Sequence, residues 1–168
     1  KISVTYYIYN QTILMKDIKS LKPRRKSRFK QGYVDTSSLK KLFESQKSKP
    51  VIFRSSYEHK FIWWLERSSS VKRWGSEPIC IEYRLPNDEK VHHYWPDYLV
   101  EMEDGTVVLV EVKPHNQTVP PDPYLNDRDS LAYRTYVKNY CKWKAANEFC
   151  KRNNMQFKIL TEKTIERL

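Results

Sequence analysis

A mixed α/β sandwich, with one sheet covered by helices on both faces, is the fold class this sequence predicts. Three observations carry that expectation. From residue 51 onward the periodicities run helix, three or four strands, helix, strand. The run Val107-Val108-Leu109-Val110 is apolar at four successive positions, which suits a strand buried on both faces and not a half-exposed one. The excess positive charge is confined to the first fifty residues. Of a net charge of +11, residues 1–50 contribute +10 (13 Lys/Arg against 3 Asp/Glu) and residues 51–168 contribute +1 (18 against 17). A near-neutral domain over 51–168, preceded by a basic arm over 1–50, is the expected organisation.

Taken in order, residues 1–14 hold Ile2, Val4, Tyr6, Tyr7, Ile8, Tyr9, Ile13 and Leu14, and read as a short strand or a partner-binding segment. The stretch from Lys22 to Lys30 is the densest basic patch, with Lys22, Arg24, Arg25, Lys26, Arg28 and Lys30. Such a patch makes non-specific phosphate contacts, or else it aids solubility or docks on an acidic protein. A short helix is expected over Ser37–Gln46, with Leu39, Leu42 and Phe43 on one face, and Pro50 closes the arm. Val51-Ile52-Phe53 is a strand. A helix follows from Ser55 to about Glu66, with Phe61, Ile62, Trp64 and Leu65 as its apolar residues. Val71–Trp74 and Ile79–Tyr83 are strands around a Gly75–Pro78 loop, and Asn87-Asp88 turns the chain into Val91–Tyr94. His115 to Asp129 is a loop broken by prolines. Ser130–Arg152 is a long helix whose period is kept by Leu131, Tyr133 or Arg134, Val137, Cys141, Ala145 and Phe149. Asn153-Asn154 suits a left-handed cap. Met155–Leu160 is the last strand, and Thr161 caps a final helical turn.

The chemistry concentrates in the central hairpin. Pro96-Asp97 lies fourteen residues before Glu111, and Glu111-Val112-Lys113 ends the second strand. Glu103-Asp104-Gly105 is the turn between them. Its length decides which side chains meet, because strand side chains alternate faces. A two-residue Asp104-Gly105 turn sets Asp97 opposite Val112 and away from Glu111. A three-residue loop with Gly105 left-handed pairs Met102 with Thr106 and sets Asp97 opposite Glu111. Glycine at the last loop position favours the second register. Asp97, Glu111 and Lys113 then share one face, with Val110 and Val112 directed into a core. Two carboxylates and an ammonium in that arrangement suit a divalent cation held against a phosphodiester. The plain alternative is a solvated sheet face bearing unrelated charges.

Other candidates have competing structural roles. Glu58 lies three residues after Ser55, the spacing of a capping box at a helix start. Glu77 is either a further acid of the site or a loop acid. His92 and His93 occupy adjacent strand positions, so at most one faces the site. Lys142 and Lys144 flank Trp143 on the long helix and are either a solvated face or phosphate contacts. Cys80, Cys141 and Cys150 are scattered without metal-ligand spacing, which points to buried thiols in a reducing setting. The sequence has no apolar run long enough to cross a membrane and no signal-peptide pattern.

Pro96-Asp97 and Glu111-Val112-Lys113, with Glu58 as an upstream helical acid, resemble the PD-(D/E)xK nuclease superfamily. More specific are the words around them: Phe53–Glu58, Trp74–Pro78, Glu111–Pro114, Gln117–Pro121, Lys142–Ala146 and Phe157–Glu162, in that order. Together they resemble the head completion nucleases of T-even-type tailed phages over about residues 50–165. The nuclease core is also similar to the endonuclease subunit of heteromeric transposases. The resemblance implies a restriction-endonuclease-like mixed sheet flanked by helices, and Mg²⁺-dependent cleavage of double-stranded DNA, with Mn²⁺ expected to substitute. It implies metal ligation by Asp97, Glu111, the Val112 carbonyl and Glu58, and a water-orienting or activating role for Lys113. With a DNA substrate, the basic patch of Lys22, Arg24, Arg25, Lys26, Arg28 and Lys30, and Lys142 or Lys144, are the expected phosphate contacts. Partners would be phage head, portal or neck proteins, met in the host cytoplasm during assembly or at the head–tail junction of the virion. Two other readings stand beside it: a structural head or neck component with an idle site, and a transposase-type or repair endonuclease.

Overall fold

The computed structural model describes residues 31–86, 88–123 and 130–168. The expected strand or docking segment over 1–14 and the basic residues Lys22 to Lys30 lie outside the described residues. The central sheet has four strands: β3 (Val71–Ser76), β6 (Tyr98–Met102), β7 (Val107–Val112) and β8 (Gln156–Leu160), in the order β3-β6-β7-β8. The first three are antiparallel neighbours, and β8 runs parallel to β7. Helix α2 (Leu131–Arg152) makes the crossover that a parallel pair requires. Two small ribbons flank the sheet: β1 (Gly32–Val34) with β2 (Val51–Phe53), and β4 (Ile81–Tyr83) with β5 (His92–Tyr94). Helix α1 (Ser56–Arg67) follows β2, and a short α3 (Glu162–Ile165) ends the fold.

Alternation along β7 divides the core into two layers. Val108, Val110 and Val112 pack with Phe61, Ile62 and Leu65 of α1, together with Trp74, Tyr98 and Val100. Leu109 packs on the opposite face with Leu99, Ile79, Ile81, and Ala146 and Cys150 of α2. The apolar run therefore is covered on both faces, as its composition implies. None of the three cysteines forms a disulfide, and Cys150 is buried. No helix among the described residues is long and apolar enough to cross a membrane.

Three sequence expectations need correcting. The packed body extends upstream of Val51. Gly32–Val34 pairs with β2, and Val34, Leu39, Leu42 and Phe43 are buried. The Ser37–Gln46 segment is not one helix but two 3₁₀ turns, Thr36–Ser38 and Glu44–Gln46, joined by extended chain. Tertiary partners hold it open. The Glu66 carboxylate accepts the Lys40 N–H at 2.7 Å and the Lys41 N–H at 3.2 Å. Trp74 donates its backbone N–H to Lys41 (2.9 Å) and accepts the N–H of Phe43 (2.7 Å). The buried stripe of α2 is also rotated from the expected one. Asn139, Trp143, Ala146 and Cys150 face inward, Cys141, Ala145 and Phe149 flank them, and Leu131 is 75% exposed. A polar Asn139 inside the stripe hides its phase from an apolar count.

The β6–β7 turn has the longer form. Tyr98 pairs with Val110 and Glu101 with Val107. The Met102 N–H reaches Thr106 at 2.8 Å and the Gly105 N–H reaches Met102 at 3.0 Å. Gly105 has φ 84, the left-handed conformation that glycine adopts without a Cβ clash. Asn154 at the end of α2 is also left-handed, with φ 53.

Candidate active site

The register of β6 and β7, continued one step past the end of the ladder, sets Asp97 opposite Glu111. Asp97 precedes β6, and its Oδ2 accepts the backbone N–H of Val112 at 2.7 Å. That bond fixes one carboxylate across the strand pair. Glu111 is the other carboxylate, only 2% exposed. Its Oε2 accepts the Tyr94 hydroxyl at 2.7 Å, and its Oε1 lies 2.8 Å from the Lys113 ammonium. Lys113 Nζ is 3.9 Å from Asp97 Oδ2. The Lys113 backbone N–H is held by Leu160 of β8 at 2.9 Å, so the side chain leaves from a fixed strand end.

These groups line a cavity of about 290 Å³ together with Arg54, Glu77, His93, Trp95 and Lys142. Three carboxylates (Glu77, Asp97, Glu111) face three cations (Arg54, Lys113, Lys142) there, and burial dominates the electrostatics. Burial, and then the charge of Asp97, push Glu111 up to about 7 from an ordinary 4.5, against the opposing pull of Lys113 and Tyr94. Burial alone would lower Lys113, but Asp97 and Glu111 outweigh it and hold the ammonium above its usual value. Burial, followed by the Glu111 charge, raises the Tyr94 hydroxyl, so it stays a donor. The Lys142 ammonium sits over the rings of Tyr94 (5.2 Å) and Tyr83 (6.0 Å), and burial lowers its value.

Glu58 takes the capping role its position suggests. Ser55 caps α1 by accepting the Glu58 N–H at 3.1 Å and donates its hydroxyl to Glu58 Oε1 at 2.9 Å. Glu58 Oε2 accepts the Arg54 N–H at 2.9 Å. Both carboxylate oxygens are thus engaged in the cap. Burial and then the negative charge of Asp97 raise Glu58, while Lys113 acts the other way. The acid therefore feels the site from behind without lining the cavity. Among the described residues, no three His, Cys, Asp or Glu side chains converge as metal ligands. Three carboxylates line the cavity; Glu77 is paired with Arg54, and Asp97 and Glu111 are the two that meet across the strand pair. Oxygen donors from one or two carboxylates, completed by water and substrate phosphate, are what Mg²⁺ takes, and a cation would relieve the repulsion between Asp97 and Glu111.

Of the other sequence candidates, His93 faces the cavity, while His92 turns away to Asp88 at 2.8 Å. Glu77 lines the cavity in an ion pair with Arg54 at 2.7 Å. It adopts φ 47 and donates its N–H to the Asp97 carbonyl at 2.9 Å. Lys142 reaches the cavity. Lys144, one residue past Trp143, is exposed and does not line it. Lys22, Arg24, Arg25, Lys26, Arg28 and Lys30 are outside the described residues. Sequence reasoning missed Tyr94, Arg54 and Trp95 as parts of the site. Tyr94 is seventeen residues from the acid it bonds, and no local pattern couples them.

Comparison with known proteins bears on this geometry. Residues 68–162 match the model of the TnsA-like endonuclease N-terminal family. The chain is also 30% identical to the head completion nuclease of Enterobacteria phage T4 over 120 residues, covering 68% of this chain and 80% of that protein.

Proposed function

This chain belongs to the TnsA-like endonuclease family, and from that membership we propose that it is a Mg²⁺-dependent DNA endonuclease acting at phage head completion. The observation that carries the reading is the bracket of Asp97 and Glu111 around Lys113 at the end of β7, inside one cavity. The name of the T4 relative supplies the setting, head completion; head, portal or neck proteins met in the host cytoplasm would be the partners.

Asp97 and Glu111 would hold Mg²⁺, with the Val112 carbonyl as a further oxygen, and Mn²⁺ would fit the same donors. Glu58 adds negative charge behind them, and would reach a second ion only by giving up its cap. The bound metal supplies Lewis-acid polarisation of the phosphate and neutralises charge that develops there. The remaining work falls to the chain. Without metal the two acids favour the charged form of Lys113, which would orient or activate the attacking water and steady phosphate charge. Tyr94 holds Glu111 in one rotamer through its hydroxyl. Arg54 and Lys142 offer positive charge to the strand at the cavity walls. Water attacks phosphorus, the bond to the 3′ oxygen breaks, and the products are a 5′-phosphate and a 3′-hydroxyl. Phosphate and metal contacts carry no sequence information, so cutting would show little sequence preference on double-stranded DNA. End-group analysis of cleaved plasmid tests this chemistry. Ends that a kinase labels only after phosphatase treatment are expected, and 3′-phosphate ends would refute it.

A further inference from the structure

Among the described residues, Trp95 is the exposed large apolar side chain that borders the carboxylate cavity. It is 42% exposed, while Tyr94 before it is 3% exposed and Pro96 after it is fully buried. The backbone that carries the indole is therefore anchored on both sides, by the Tyr94 hydroxyl on Glu111 and by a proline with fixed φ. The indole stands two residues from Asp97. His93 lies alongside it, with ring centroids 6.1 Å apart and planes 29° from parallel. His93 is itself backed by Glu82 at 3.9 Å. An aromatic pair at the lip of a cavity that also holds Lys142, and Arg54 and Lys113 in ion pairs with Glu77 and Glu111, sets a flat apolar face beside cations that a backbone phosphate would share. That pairing is how proteins hold single strands, because every base has a π-face.

We propose that Trp95, backed by His93, is a stacking platform for an unpaired base beside the phosphate being cut. The preferred DNA then carries a single-stranded, gapped or frayed segment at the cut site. Inside a continuous duplex both faces of a base are covered by its neighbours, so a duplex has no face to offer the indole. This inference rests on the nuclease reading above and narrows its substrate.

The test uses the full chain, with Trp95→Ala and Trp95→Phe, on a labelled single strand, a gapped duplex and a continuous duplex. Binding is read by anisotropy in chelator in an Asp97→Ala background, and cleavage is read with Mg²⁺. Trp95→Ala should weaken single-strand binding about tenfold and raise KM on gapped DNA with kcat kept. Continuous-duplex binding should not change, and Trp95→Phe should restore most of the loss. Equal losses on all three DNAs, or no loss, overturn the platform. If cutting needs Asp97 and Lys113 while Trp95→Ala changes nothing, the platform falls and the nuclease stands. If the wild type cuts none of the three while single-strand binding still depends on Trp95, the nuclease reading falls, and with it the placement of the base beside a phosphate being cut, leaving only a single-strand-binding face.

Discussion

Replacing Glu111 by glutamine removes a negative charge from the most buried acid of the cavity and keeps its shape. In the folded protein, burial and the Asp97 charge push this acid from 4.5 up to about 7. The folded state thus keeps a proton that the unfolded chain has already released. For a value raised on folding, the associated stability is fully present below the unfolded pKa and is lost as pH rises through the folded one. The gap from 4.5 to about 7, at about 1.36 kcal/mol per pH unit, comes to about 3 kcal/mol. Between about pH 5 and pH 8 the wild type should lose about 2–3 kcal/mol that Glu111→Gln retains. Acids held below their ordinary values, such as Glu101 beside Arg73 and Lys72 and Asp104 beside the Thr106 N–H, act in a lower window. They do not contaminate the comparison. Urea denaturation at both pH values in the presence of chelator reads it directly. Parallel pH profiles for the two proteins would refute the buried-charge argument.

Other predictions follow from the same contacts. Adding Mg²⁺ to the wild type at pH 8 should stabilise it by about 2.7 kcal/mol at a concentration a hundredfold above Kd, seen as a rise in Tm. Glu111→Gln should respond weakly, and an equal response would place the metal elsewhere. Ser55→Ala removes the hydroxyl that accepts the Glu58 N–H and donates to its carboxylate, and should cost about 1–2 kcal/mol in chemical denaturation. Deleting residues 1–30 removes Lys22, Arg24, Arg25, Lys26, Arg28 and Lys30 and leaves the Gly32–Val34 strand in place. If each cation contacts a phosphate, the slope of log affinity against log salt should flatten by up to about 5, and an unchanged slope would assign the arm to a protein partner.

The sequence was most legible where side-chain parity and turn chemistry act locally. Glycine at Gly105 selected the longer turn, and the longer turn alone brings Asp97 to Glu111. The unbroken run in β7 announced two helical layers. Legibility failed where a distant partner decides the backbone. Glu66 captures Lys40 and Lys41 across more than twenty residues, so an amphipathic stretch that reads as a helix becomes extended chain with 3₁₀ turns. The same distance hid the upstream limit of the packed body. Glu58 was legible as either cap or site acid because its spacing satisfies both, and the fold uses the acid as a cap that the site charges still perturb. Lys142 and Lys144 look alike in the sequence. Only the rotation of α2, which buries Asn139, Trp143, Ala146 and Cys150, separates the one at the cavity from the one in solvent.

The measurement that tests the central claim most directly is nicking of supercoiled plasmid by the wild type, Asp97→Ala and Lys113→Ala, with Mg²⁺ and with chelator. Cleavage by the wild type in Mg²⁺, lost in both variants and on chelation, is the predicted result. Undiminished nicking by the two variants, or no nicking by a folded wild-type chain, would contradict the assignment of this cavity as the cutting site.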